Sequence, residues 1–96
     1  MYVLHIEHTV PDYQRWRAAG FDSDPLGRKQ SGVRRHRVYR RSDAPNHVVI
    51  ELEFETADAS AKMGERLRKM WVGAQERGLI NTPSLTSLEL ADAMDY

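Results

Sequence analysis

His5, Glu7, His47, Glu51 and Glu53 pair imidazoles with carboxylates at spacings that a β-sheet gathers into one cluster. Successive side chains of an extended strand alternate between faces, so residues two apart share a side. His5 and Glu7 obey that spacing, and so do His47, Val49, Glu51 and Glu53. If the two segments pair antiparallel, these groups approach within about 4.5–8 Å of one another, depending on register. A carboxylate beside an imidazole, enclosed away from bulk water, can take up or deliver a proton near neutrality. His5, Glu7 and Glu51 are therefore candidate acid–base groups, suited to proton abstraction from an activated phenol or ketone. His47 and Glu53, at the ends of the same row, are candidate substrate contacts. The competing reading is that these charges form ion pairs between subunits, or a hydrated face without chemistry.

Metal binding is not indicated. His5 and His8 are three apart, which on a strand sends them to opposite faces. His5 and Glu7 share a face, but two ligands do not make a site. The chain has no cysteine, so neither a disulfide nor a thiolate is available.

A second group is basic. Arg28, Lys29, Arg34, Arg35, Arg37, Arg40 and Arg41 hold seven of the 14 Lys and Arg residues with no acid among them. Read alone, the run suggests a phosphate-binding strip. The segment that follows carries Asp43, Glu51, Glu53, Glu55 and Asp58 with no Lys or Arg between them, so a hairpin of the two would neutralise itself through cross-strand pairs. Nucleic-acid binding is not expected. An inward-facing Arg35 or Arg37, with the hydroxyl of Tyr39, remains a candidate anchor for an anionic substrate.

The elements that must position these residues are well marked. Val48, Ile50, Leu52 and Phe54 alternate with His47, Val49, Glu51 and Glu53, predicting a half-buried strand. Tyr2 to Val10 repeats the division, with Tyr2, Leu4, Ile6 and Val10 opposed to Val3, His5 and Glu7. Between Val33 and Arg41 the apolar residues Val33, Val38 and Tyr39 change parity, which predicts a bulge or an edge position. Ser42 to Asn46 reads as the turn of a hairpin, with Pro45 outside the strands. Asp12 is placed to cap a first helix bearing Tyr13, Trp16, Arg17 and Gly20 on one stripe, with a frayed end and loop from Asp22 to Gly32.

Thr56 is placed to cap a long helix whose stripe is Ala59, Met63, Leu67, Met70, Trp71 and Ala74. Gly78-Leu79 reads as its left-handed stop. Trp16 and Trp71 are expected in the core. A last strand is expected from Ser84 to about Leu90, followed by a poorly ordered tail from Asp92. The order β-α-β-β-α-β with right-handed crossovers predicts an α+β, ferredoxin-like domain over residues 1–96, a four-stranded antiparallel sheet with two helices on one face. The other face, expected to carry Val3, Val49 and Leu85, then lacks a cover. A second copy packed there would bury it and enclose a cavity.

Composition bounds the rest. Ninety-six residues suffice for one modest core. The 14 basic and 14 acidic residues balance, with a pI near 6.9, unlike a dedicated nucleic-acid or anionic-membrane binder. No stretch approaches the roughly 18 apolar residues of a membrane span. A soluble cytoplasmic protein is expected.

The string Val10-Pro11-Asp12-Tyr13-x-x-Trp16 with Phe21-Asp22, then Gly32-Val33-Arg34, Arg37-Val38 and Ser42-Asp43-x-Pro45-Asn46 before Val48-Val49-Ile50-Glu51, resembles the dimeric α/β-barrel superfamily. That ferredoxin-like group includes antibiotic-biosynthesis monooxygenases, polyketide cyclases and muconolactone-type isomerases. The resemblance implies a homodimer enclosing a pocket for a small organic molecule, and suggests a cofactor-independent cyclase, monooxygenase or isomerase acting on an aromatic or polyketide-like substrate. The alternative is a non-catalytic metabolite-binding or dimerisation module. The haem-degrading branch places a histidine on the long helix. The segment Asp58 to Arg77 has none, so haem is not implied.

Overall fold

A computed structural model describes residues 1–96. Strand β1 (Tyr2–Thr9) leads into a single α-helical turn, α1 (Tyr13–Trp16), which continues as a π-helical segment (Arg17–Phe21). Strands β2 (Val33–Arg41) and β3 (Ala44–Phe54) form a hairpin, followed by helix α2 (Ala57–Glu76) and strand β4 (Asn81–Glu89). All pairings are antiparallel, in the order β2-β3-β1-β4, so β1 and β3 are the central neighbours. This is the ferredoxin-like α+β architecture that the element order predicts.

The register sets the two faces. Leu4 lies opposite Leu52 and Ile6 opposite Ile50, and all four are buried beneath the helices with Val48 and Phe54. Trp16, Phe21, Met63, Leu67 and Trp71 descend from the helical layer to complete the core. Full burial of each large apolar side chain contributes about 1.5–3 kcal/mol.

The helix ends are those the sequence predicts. Asp12 Oδ1 accepts the amide of Arg15 at 3.2 Å, and Thr56 Oγ1 accepts the amide of Ala59 at 3.1 Å. At the end of α2, Gly78 takes φ +69°, its amide donates to Gln75 and the amide of buried Leu79 donates to Ala74. The first helix differs from the expected regular one. After one turn it widens, the Asp22 amide donating to the Arg17 carbonyl five residues back. That wider turn puts Trp16 and Phe21, five apart, side by side with ring centroids at 5.5 Å.

Three expectations about the strands are corrected. Pro45 lies inside β3, since Ser42 and Asp43 alone make the turn. Pairing jumps from Arg40–Val48 to Arg41–Ala44, so β2 asks nothing of the Pro45 nitrogen and the missing N–H costs no ladder bond. Strand β4 starts at Asn81 rather than Ser84, accommodating Pro83 on the sheet edge beside a register shift against β1. Leu85 faces the helices, opposite Ile6, and its methyls approach Gly64 of α2. Leu88, opposite Val3, takes the open-face position expected of Leu85. Apolar residues of both parities in β4 leave its phase unmarked in the sequence.

Strand β2 is both an edge and bulged. Val33 opposes Phe54, whereas Arg35 opposes Glu53, so Arg34 is the extra residue and the parity flips after it. Leu90 to Tyr96 is irregular and exposed. No helix is long and apolar enough to cross a membrane.

Two glycines should respond oppositely to alanine. Gly32 has φ +94°, and a Cβ there would stand 3.3 Å from that of Ala59. Gly73 has ordinary helical geometry, and its nearest neighbour is a flexible arginine tip at 3.5 Å. Urea denaturation should show Gly32→Ala destabilised by about 1 kcal/mol or more, and Gly73→Ala stabilised by up to about 1 kcal/mol.

Candidate functional site

Open face and interior carry separate polar groups. On the open face, Arg35, Arg37 and Tyr39 of β2 lie opposite Glu53, Glu51 and Val49 of β3, and these lie opposite Val3, His5 and Glu7 of β1. The register thus brings together the whole predicted set. Glu51 Oε2 is 3.2 Å from His5 Nδ1, His5 Nε2 is 3.4 Å from Glu7 Oε2, and Glu7 Oε1 is 3.0 Å from His47 Nε2. Four groups therefore alternate carboxylate, imidazole, carboxylate, imidazole across two strands. The His47 contact, opposed by the cost of burial and aided by His5, holds the Glu7 carboxyl below its usual range.

Arg35 Nε lies 3.4 Å from Glu53 Oε2. Arg37 lies across from Glu51, and the neighbouring Tyr39 hydroxyl, followed by Glu53 and Glu51, favours its charged form. Val3, Arg37, Glu51, Glu53 and Leu88, with the chain end from Glu89 to Asp92, border a depression of about 430 Å³ on this face. Three more arginines of the basic run have contacts of their own: Arg34 with Glu55 at 3.3 Å, Arg41 with Asp43 at 2.9 Å, and Arg40 over the Tyr13 ring at 4.0 Å.

The interior holds something the sequence reading did not single out. A half-open cavity of about 320 Å³ lies between the core face of the sheet and the helical layer, within the size range of small-molecule sites. Its walls are mainly apolar, among them Ile6, Ile50, Leu52, Met63, Leu67 and Trp71, with Trp16 and Phe21 on the α1 side. The two tryptophans are core residues, as expected, and also line the cavity.

Its mouth is built by the loop from Asp22 to Gly32. Arg66 of α2 donates to Ser31 Oγ at 2.7 Å and to the Leu26 carbonyl at 3.0 Å, tying that loop to the helix. Arg28 lies 3.9 Å over the Phe21 ring while donating to the Phe21 carbonyl at 2.9 Å.

His8 also lines this cavity, from the core face of β1 opposite Val48. It is 4% exposed, its ring meets Trp16 edge to face at 5.4 Å, and its Nδ1 has no hydrogen-bond partner. Burial pushes the imidazole down to about 4, opposed only in part by the Thr9 backbone and helped slightly by His47. His8 is therefore neutral at physiological pH. The signal for it was present in the sequence: it interrupts the apolar parity Leu4, Ile6, Val10 with a polar group.

Two pH effects follow. The folded chain binds its His8 proton near pH 4 and the unfolded chain near 6.5, so between these values the unfolded state carries more protons. Stability should rise with pH through that window, by up to about 3 kcal/mol, and be indifferent to His8 above it. Urea midpoints at pH 5 and 7 should show the slope reduced in His8→Phe. Glu7 contributes stability that is present above its unfolded pKa and lost as pH falls through its lowered folded value. Carbon-13 NMR of the Glu7 carboxyl should show its titration moved upward in His47→Ala.

No family model matches the chain, and no curated protein matches it in sequence. Solved structures do. Over 100% of this chain and 98% of the other, a candidate antibiotic biosynthesis monooxygenase of Deinococcus radiodurans superposes with a TM-score of 0.73 at 16% identity. SnoaB of Streptomyces nogalater, a cofactor-independent oxygenase, gives 0.74 at 16% identity, covering 99% of this chain and 97% of its own. A dimeric ferredoxin-like protein from an uncultured marine organism gives 0.69 at 7% identity over the full length of both chains. At such identities the likeness is one of architecture, and the chain has the ferredoxin-like fold found in antibiotic-biosynthesis-monooxygenase-like proteins.

Proposed function

We propose that this chain binds a planar, largely apolar aromatic molecule inside each protomer and acts on it as a cofactor-independent monooxygenase, working as a homodimer. The observation that carries the reading is the interior cavity, about 320 Å³ in volume and walled by both tryptophans of the chain. An aromatic ring inserted between such walls gains offset or edge-to-face contacts beyond simple burial. A binding module would need no more than this cavity. The oxygenase assignment draws support from the shared architecture with a cofactor-independent oxygenase, an argument from analogy of fold. The homodimer draws support from a dimeric neighbour and from the uncovered sheet face, where Tyr39 and Leu88 are 45% and 44% exposed.

A second reading rests on a specific observation, the run Glu51–His5–Glu7–His47. Enclosed between two sheets, His5, Glu7 and Glu51 would serve as acid–base groups, with Arg35, Arg37, Tyr39, His47 and Glu53 orienting a substrate on the open face, where Arg37, Glu51 and Glu53 border the outer depression.

Because Trp16 and Trp71 are the chain's entire tryptophan content, its indole emission reports on the interior cavity alone. A naphthoquinone should quench that emission saturably, and less so in Trp71→Phe. Oxygen uptake with electron-rich hydroxy-aromatics and no added flavin, haem or metal should accompany binding. Quenching without uptake for any substrate would leave a binding module. Uptake that survives blocking of the interior but disappears in His5→Ala would favour the outer site.

A further inference from the structure

We propose that His8 is the polar recognition point of the interior cavity and that it selects ligands bearing a phenolic hydroxyl on an otherwise apolar ring. The inference deepens the proposed function and rests on its interior-cavity reading. It starts from the polar groups lining the cavity. Ser23 Oγ is satisfied by the carbonyls of Ala19 and Gly20, both at 3.0 Å. Asp24 accepts the Arg28 amide at 3.0 Å and lies 3.5 Å from its guanidinium, which itself donates to the Phe21 carbonyl. Arg77 is exposed at the rim. Trp16 and Trp71 add only indole N–H donors to the walls, and His8 is the one buried lining residue whose unpartnered ring can also accept.

An unmet buried polar atom costs stability, whereas a phenylalanine of similar outline would complete this wall without that cost. Occupancy by a hydrogen-bonding ligand removes the deficit. The chemistry of the partner follows from the state of the ring. A neutral imidazole presents one N–H donor and one bare nitrogen acceptor. A hydroxyl can both donate and accept, so it meets either tautomer. A carboxylate meets only the donor, and must shed its hydration in an apolar chamber that offers no buried cation. Trp16, edge-on to His8, places a ring face beside the polar point, so the hydroxyl and the ring that bears it are read together.

The test compares 2-naphthol, its methyl ether and naphthalene by titration calorimetry against the intact protein and His8→Phe. Naphthol should bind the native protein about five- to tenfold more tightly than the ether. In His8→Phe that preference should vanish while naphthalene affinity is retained. Equal binding of naphthol and ether to the native protein, or a preference that survives in His8→Phe, would overturn the role of His8 and leave the cavity reading intact. Failure of all three compounds to bind would remove the cavity reading and the His8 inference together. Should His8→Phe not fold, nitrogen-15 NMR of the native His8 ring decides: its shifts should move with naphthol more than with naphthalene, and equal responses overturn the proposal.

Discussion

The antiparallel register between β1 and β3 is the constraint on which both polar groupings depend. Leu4 against Leu52 and Ile6 against Ile50 direct four large side chains beneath the helices, and the intervening His5 and Glu51 have only the opposite side to occupy. A slip of one residue would turn the oily set outward and push two carboxylates into the core. Burial of Leu4, Val48 and Phe54 at 0% exposure makes that slip costly. The hydrophobic layer thereby places the ionisable residues without touching them.

The two histidine environments of β1 show how much a single step along a strand changes chemistry. His5 is flanked by carboxylates at 3.2 and 3.4 Å on the open face of the sheet. His8, three residues on, faces the core, is sealed from solvent and is kept neutral by desolvation. The first belongs to a network that already satisfies itself. The second belongs to a chamber where Ser23 and Asp24 are already paired and Arg77 is exposed.

Legibility of the sequence followed the strength of its periodicity. In β3, apolar residues at every second position from Val48 to Phe54 set both strand and phase, so His47, Glu51 and Glu53 could be placed on the open face in advance. Caps at Asp12 and Thr56 were equally plain, because a short polar side chain before a helical stripe has few other uses. Strand β4 was not, since Leu85 and Leu88 satisfy opposite parities and only pairing with Ile6 and Val3 decides between them. The π turn was hidden for a related reason: Trp16 and Phe21 suit an i, i+5 pair only when the backbone widens, and no residue type announces that. The chamber itself was beyond a sequence reading, being a gap left by how α1, the following loop and α2 seat on the sheet. The lone polar residue within the apolar parity of β1 was the trace it left.

Both rims of the sheet resist further strands, each by different means. Strand β2, at one edge, carries Arg34, Arg35, Arg37, Arg40 and Arg41 and bulges at Arg34, while β4 places Pro83 and a register shift where a guest strand would start. Fibre-like growth by edge annealing is therefore obstructed in both directions, and stacking through the bare face is the unobstructed direction. Stacking of that kind would be self-limiting, because two sheets placed face to face would leave neither with another bare side to offer.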